Sequence, residues 1–456
     1  GIINNKIKLV IGARSSLLLP FKNLGIIIVD EEHDASYKQD DGVVYHARDM
    51  AISRASIENI PIHLITSIPS IETFNNIQNK KFRHFKIIKR YNDFPLPKTK
   101  IVNLNIKKIK NNFIDLETIK LVKFFLDKNE QVLFFLNRRG YAPYLICKNC
   151  GYKQTCPNCS MYLTFHKNKN RAVCHHCSHE KKISRICKDK KNCDFIMYGP
   201  GVEKIFEEVI KIFPSNKVEI FSSDDMKRKD QTKSLFSRIM DNKVDILIGT
   251  QMISKGFNFP KLNCIVVIDA DFSGRGYDLR TTEKNIQLYH QLSGRAGRFS
   301  KESLIVYQTL TPEDLRLNEL IKNKAEEFLK KELIIREKNN LPPFVRLIAI
   351  IISSNHYDLS IKGAKEIKNQ LQKIENIEVM GPVDSPLLKI KKKFRSRLLL
   401  RFKSGISAQK KISNLLNSLK ISAKIKLTVD VCLLYTSDAA DDSLRVDLGG
   451  RRIIKK

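Results

Sequence analysis

Apolar positions in this chain come in short, β-branched runs separated by longer amphipathic stretches. In "LGIIIVDEEHD" the run Ile26–Val29 shows no polar alternation, the pattern of a strand covered on both faces of a parallel sheet. On either side, "IKLVIGARSS" and "IPIHLITSIPS" read as further strands with helical segments between them. A break at "DFPLPKTK", with Pro95 and Pro97, marks a linker. A second set of strands follows it: "QVLFFLN", "KVEIFSSD", "VDILIGTQ", "CIVVIDAD" and "SLIVYQT". Strand–helix alternation on both sides of the linker predicts an α/β fold of two lobes. Beyond "NNLPPFVR" the pattern changes to "RLIAIIISS", a lysine-studded helix and "SRLLLRFKS", predicting a small α+β domain with a basic surface.

Charge adds a partner class. Lys and Arg number 81 against 48 Asp and Glu, a formal net charge of +33, which favours a polyanion such as nucleic acid. The same Lys, Ile and Asn richness is also what an AT-rich genome imposes on any protein. No signal peptide precedes the first strand and no apolar run is long enough to span a bilayer, so a soluble, cytoplasmic protein without a membrane partner is expected. Composition breaks once: residues 431–454 contain neither Lys nor Asn, and 431–456 read as a non-native tail that packs on nothing.

The strand at 26–29 ends in Asp30, Glu31 and Glu32, followed by His33. Ligands of open α/β sheets bind beyond the carboxyl ends of the strands. Carboxylates crowded there need a cation, and in a nucleotide site one acid holds Mg²⁺ while a second orients or deprotonates a water. An acidic turn of no further consequence fits the same four letters.

Eight of the ten cysteines fall between Cys147 and Cys193, a clustering that in a charge-rich chain of this kind signals metal. Cys156-x-x-Cys159 and Cys174-x-x-Cys177 flank "SMYLTFHKNKNRAV", which reads as two short strands around a polar turn. A knuckle at each base of that hairpin brings four thiolates to one Zn²⁺. Cys147, Cys150, Cys187 and Cys193 remain for an outer, enclosing Zn²⁺ site, with His166, His175, His176 and His179 as nearby substitutes. Both sites are expected to be structural.

Two further motifs change the picture. "GTQMISKGFNFP" covers 249–260, and "QLYHQLSGRAGR" carries Gln291, Gly294, Arg295, Gly297 and Arg298 as QxxGRxGR, which resembles the arginine-finger motif of superfamily 2 helicases. Two arginines brought from one lobe neutralise charge growing on a γ-phosphate held by the other. With "NRRGYAP", "GPGVEKI", "LPP" and "GPVDSPL" in order, the chain over 1–430 resembles the family of primosomal protein N′, the PriA replication-restart helicases. The resemblance implies two RecA-like helicase lobes with the first one partial (1–96 and 97–340), a two-zinc insertion at 146–197 in the second, and a C-terminal DNA- or partner-binding domain at 341–430.

It further implies an ATP- and Mg²⁺-dependent 3′→5′ DNA helicase that binds abandoned forks and single-stranded DNA, and works with primosome proteins and single-stranded DNA-binding protein to load the replicative helicase. The first and fourth cysteine pairs would share one zinc, the second and third the other. Asp30 and Glu31 become the Mg²⁺ and water-activating acids, and His33 a coupling residue. Gly256, Gln291, Arg295 and Arg298 fall in the nucleotide cleft. Tyr37, Tyr45, His46 and Arg48 lie where the family has an aromatic-rich loop that stacks on bases. In "TSIPS", Ile68 stands where a hydroxyl is usual. No GxxxxGK[ST] loop occurs, so a fragment lacking the phosphate cradle is expected. The alternative is a non-catalytic, zinc-bearing DNA- or primosome-binding scaffold.

Overall fold

In the computed structural model, residues 1–430 are described except for 40–44, 88–92, 105–112, 137–143, 148–153, 155, 159–162 and 167–170, and for 174–178, 183–194, 199–200, 222–228, 251–258, 271–279, 310–311, 314–316, 320–324, 404–405 and 420. Residues 431–456, where the foreign tail was expected, also lie outside the described set.

The acid-bearing strand β1 (Ile27–Asp30) pairs in parallel with β4 (Ile62–Ile65) in a two-stranded sheet. A two-residue ribbon follows β1, formed by β2 (Lys38–Gln39) and β3 (Tyr45–His46), and α1 (Ala47–Glu58) leads into β4. After β4 comes α2 (Ile71–Gln78), capped by Ser70, whose hydroxyl accepts from Thr73 N. Val29 is buried, but Ile28 is 60% exposed, so coverage on both faces does not hold here: among the described residues nothing packs on that side. "IKLVIGARSS" forms no strand either. With no described partner beside residues 7–12, a ladder cannot form, and the segment enters a short 3₁₀ turn at Arg14–Leu18.

The second lobe holds a six-stranded parallel sheet. Its order is β12 (Val218–Phe221), β13 (Ile246–Gly249), β6 (Gln131–Phe135), β14 (Leu262–Val267), β15 (Leu304–Thr309) and β5 (Lys98–Asn103). The five apolar runs named above supply five of these strands. The edge strand β5 starts inside the proline-marked linker. Alternate residues feed two cores. Leu133, Phe135, Leu247, Ile265 and Tyr307 face one side, Val132, Phe134, Ile246, Ile248 and Val266 the other. The first core also takes in Ile68, Ile71 and Phe74, so α2 is packed into the second lobe.

Between β6 and α4 (Val202–Ile212) lies a five-stranded antiparallel sheet built from residues 144–198. Its hairpin of β8 (Thr164–His166) and β9 (Arg171–Val173), with Thr164 opposite Val173, is the one expected between the inner cysteine pairs. The C-terminal region is a four-stranded antiparallel sheet, in the order β17 (Glu378–Ile390), β18 (Lys393–Phe402), β16 (Arg346–Ser354) and β19 (Ile425–Asp430). Helices Tyr357–Leu371 and Ile406–Ser418 cover one face of it, the α+β arrangement read from the sequence. Among the described residues no helix is long and apolar enough to cross a membrane.

Candidate nucleotide and strand-handling site

β1 presents Asp30 exposed at its carboxyl end, and the chain then turns through Glu31 at φ 49°. A left-handed φ is costly for a residue with a side chain, and such strain is concentrated at functional sites. Backbone bonds fix the turn: Glu32 N donates to Ile65 O at 3.1 Å, and Asp34 N to Glu31 O at 2.8 Å. Glu31 Oε2 is buried with no hydrogen-bond partner among the described residues. An exposed carboxylate beside an unsatisfied one is a donor set that fits a hard divalent cation.

Glu32 points the other way, into the interior. Oε1 accepts from Ser70 N at 2.7 Å, and Oε2 from Arg48 Nη1 at 2.9 Å and from the Ser70 and Thr73 hydroxyls at 3.0 Å each. The acidic turn is thereby fastened to "TSIPS" and to the first turn of α2. The sequence offered no role for Glu32. Its usable signal was Ser70, a legible N-cap three residues before Thr73.

His33 joins the acidic turn to the helix that follows the fourth strand of the six-stranded sheet. Its Nε2 accepts from Gln291 Nε2 at 3.1 Å, so Nδ1–H donates to Thr66 Oγ1 at 2.6 Å, and Thr66 donates onward to Ile68 O at 2.8 Å. The hydroxyl missing at Ile68 is not needed for this path. Ile68 is 2% exposed and serves the core while Thr66 makes the polar contact.

Gln291 lies on α6 (Thr281–Ser293), which ends at Gly294. Gly297 has φ 65°, and any Cβ there would collide with the Ser303 side chain, which explains a glycine between the two arginines. Arg298 Nε donates to Gly294 O at 2.9 Å. Arg295 and Arg298 are both lowered from the ordinary arginine pKa by burial. Arg295 is further lowered by Arg298 and raised by Glu31, which places the arginines and the acidic turn in one electrostatic neighbourhood. Gly256 lies outside the described residues.

The expected base-stacking residues divide. Tyr37 is half-buried against the acidic turn. Its hydroxyl donates to Asp30 O, and burial with the Asp30 and Asp34 charges raises its pKa. Tyr45 is half-buried in β3. His46 and Arg48 are 3% and 2% exposed, and this corrects their assignment as stacking residues. Arg48 is committed to Glu32. Burial, then the Arg48 and Arg280 charges, push His46 down to about 2.

A second buried cluster, silent in the sequence, lies where α2 meets α6. Glu283 Oε1 accepts from Ile71 N at 3.0 Å, and its Oε2 faces Arg336 Nη2 at 3.3 Å. Arg280 bridges Glu72 and Glu283. Glu283 is 212 residues from Ile71, so no local pattern announces the contact.

Of the eight clustered cysteines, only Cys156 has a described side chain. It is buried, and its Sγ accepts from Asn158 N at 3.3 Å. Cys147 is placed by backbone alone in β7 (Tyr144–Cys147), and Cys150, Cys159, Cys174, Cys177, Cys187 and Cys193 lie outside the described residues.

Two family models match: "Helicase conserved C-terminal domain" over 168–300, and "Primosomal protein N C-terminal domain" over 337–431. Replication restart protein PriA of Rickettsia felis is 39% identical over 433 residues, which span 94% of this chain and 67% of that protein. The chain belongs to the PriA replication restart family. The Haemophilus influenzae member is 36% identical over 93% of this chain and 58% of its own length, and that of Bacillus subtilis 32% over 88% and 50%. Yeast Dbp5 bound to RNA and ADP BeF3 aligns at a TM-score of only 0.37 and 10% identity, over 70% of this chain and 64% of its own.

Proposed function

We propose that the chain is the acid-and-arginine-finger part of an ATP-driven 3′→5′ DNA helicase of replication restart, acting on abandoned forks. The observation that carries this reading is the His33–Gln291 bond, which joins the acidic turn of one lobe to the arginine-bearing helix of the other across 258 residues. Asp30 and Glu31 would hold Mg²⁺ of the nucleotide, which would neutralise charge developing on the phosphates. Glu31 would orient the attacking water, through the buried Oε2 that has no hydrogen-bond partner among the described residues. Arg295 and Arg298 stabilise charge on the transferring phosphoryl group when the lobes close.

His33 reports closure to Thr66 and the backbone at Ile68, beside the Ser70 cap that Glu32 grips. DNA is the polyanion that the +33 charge favours, with Tyr37 and Tyr45 left as stacking candidates. Cys156, Cys159, Cys174 and Cys177 would hold one structural zinc, and Cys147, Cys150, Cys187 and Cys193 a second. Primosome proteins and single-stranded DNA-binding protein are the partners this reading implies. No GxxxxGK[ST] loop occurs in the chain, which spans 67% of the length of the Rickettsia felis relative.

The test is DNA-stimulated phosphate release. In the intact gene product, Glu31→Gln is expected to abolish turnover while DNA affinity stays within about twofold, because the removed group acts on the phosphoryl transfer and not on the strand. Residues 1–430 alone are expected to bind DNA in a salt-sensitive manner without turnover. Full turnover in Glu31→Gln overturns the assignment.

A further inference from the structure

The short segment between the acids and β2 is held from an unexpected quarter. Lys38, eight residues after Asp30, is 3% exposed, and its ammonium lies 3.1 and 3.2 Å from the two carboxylate oxygens of Asp430. Asp430 is 1% exposed and is the last residue of β19, opposite Ala349 in the C-terminal sheet. The partners are 392 residues apart and belong to different domains.

A buried pair with both oxygens engaged is highly directional, since displacement leaves a desolvated charge without compensation. Lys38 is also fixed through its carbonyl, which accepts from Arg14 Nη1. Its neighbour Tyr37 donates to the carbonyl of Asp30 itself, and Asp34 N donates to Glu31 O. From the last strand of the C-terminal domain to the backbone of the proposed metal-binding acid there are therefore only two links, Asp430 to Lys38 and Tyr37 to Asp30.

We propose that the C-terminal domain sets the position of the acid-bearing strand end through the Lys38–Asp430 pair, which makes these two positioning residues for the metal–nucleotide site. The metal–nucleotide part rests on the functional reading above, whereas the mechanical part does not. When the C-terminal domain shifts, the carboxylate moves, Lys38 follows it, and the turn that sets Glu31 at positive φ loses its anchor. Neither residue touches nucleotide.

Hydrogen exchange on the full 456-residue chain tests the mechanical part. Asp430→Asn is expected to speed exchange of the amides of 31–39 by about a hundredfold, with the strands 346–354 and 393–402 unchanged. The pair Lys38→Met with Asp430→Leu replaces the charges by apolar groups and is expected to restore protection to within about threefold of the parent. If Asp430→Asn also loosens the C-terminal strands, Lys38→Met becomes the deciding variant, since Lys38 lies outside that sheet. Exchange of 31–39 within about twofold of the parent in Lys38→Met overturns the proposal.

The link to the metal is read in the intact gene product. Asp430→Asn should raise the Mg²⁺ concentration needed for half-maximal phosphate release, while the rate at saturating Mg²⁺ changes little. An unchanged Mg²⁺ requirement removes the link to the acids. Turnover surviving Glu31→Gln would instead remove the functional reading, and the exchange result would stand.

Discussion

The second-lobe sheet and the junction between the lobes are both buried, and they are built from opposite materials. Every residue of β13 and β14 is buried, and but for Asn263 and Gly249 those strands are wholly apolar. At and around the junction, Arg280 reaches Glu72 from the other side of it, Arg48 sits on Glu32 and Arg336 and Arg280 on Glu283 beside it, and Lys38 sits on Asp430 of the C-terminal sheet. Four cations meet four carboxylates. His46 sits among them, within electrostatic reach of Arg48, Arg280, Glu72 and Lys38. Apolar packing is non-directional and tolerates small slips. A buried ion pair adds little over a hydrophobic substitute, yet it penalises a lost partner heavily. The sheet thus supplies stability, and the junction supplies one register between the elements it joins.

The largest break in that comparison is expected at Glu283. Glu283→Ala strips a partner from Arg336, from Arg280 and from the first amide of α2 at once. Arg336 keeps Glu332 and Arg280 keeps Glu72, so the loss is expected near the lower end of the about 3–5 kcal/mol that removing one partner of a buried pair costs, read as a shift in the urea midpoint. A loss under about 1 kcal/mol would show that water reaches the junction and that it is not truly buried.

How much of this was legible in the sequence follows the same division. Sheet strands announce themselves because burial on both faces leaves a local record, as in "CIVVIDAD" and "SLIVYQT". The strand that ends in Asp30, the helix that leads to Arg295 and the hairpin of β8 and β9 were legible as elements, because each carries a local motif of fixed spacing. His46 and Arg48 misled because an aromatic, basic stretch after the acids reads the same whether it faces solvent or a buried glutamate. Lys38–Asp430 and Ile71–Glu283 left no trace, since each pairs single residues hundreds of positions apart. β5 was hidden by its flanking prolines, which are tolerated at the start of an edge strand.

Acid should loosen the junction before the sheet. His46 titrates near its ordinary value of 6.5 when unfolded but only at about 2 when folded, so between those values the unfolded chain holds the extra proton. Stability therefore falls as pH drops below 6.5. Between pH 6.5 and 5 this one group contributes about 2 kcal/mol of loss. Replacing it in His46→Asn should flatten that part of the pH profile of thermal unfolding, and a slope equal to the parent's would show that other groups set it. A smaller effect is expected in the sheet, where Ile248→Val removes one methylene from a fully buried strand residue. That costs about 0.5–1.5 kcal/mol, independent of pH and salt, and a salt-dependent cost would mean that charge contributes to the stability of the sheet.

The smallest effect is expected where charge is exposed. Lys128 Nζ lies 2.6 Å from Glu302 Oε2, with the two side chains 44% and 55% exposed. Water screens such a pair and two flexible side chains must be ordered to make it, so Glu302→Gln should cost only about 0.2–1 kcal/mol. That cost should vanish in 1 M salt, where the screening length is about 3 Å. Lys128 has a second contact that Glu302 lacks, since its ammonium stands 4.0 Å from the centroid of the Phe124 ring. Lys128→Met should therefore cost more than Glu302→Gln at every salt concentration, by about 0.5 kcal/mol for an exposed cation–π contact. Equal costs for the two variants would mean that the ring contributes nothing. A Glu302→Gln cost that persists in 1 M salt would mean that this pair behaves like the buried ones, and the distinction between exposed and junction charges would fail.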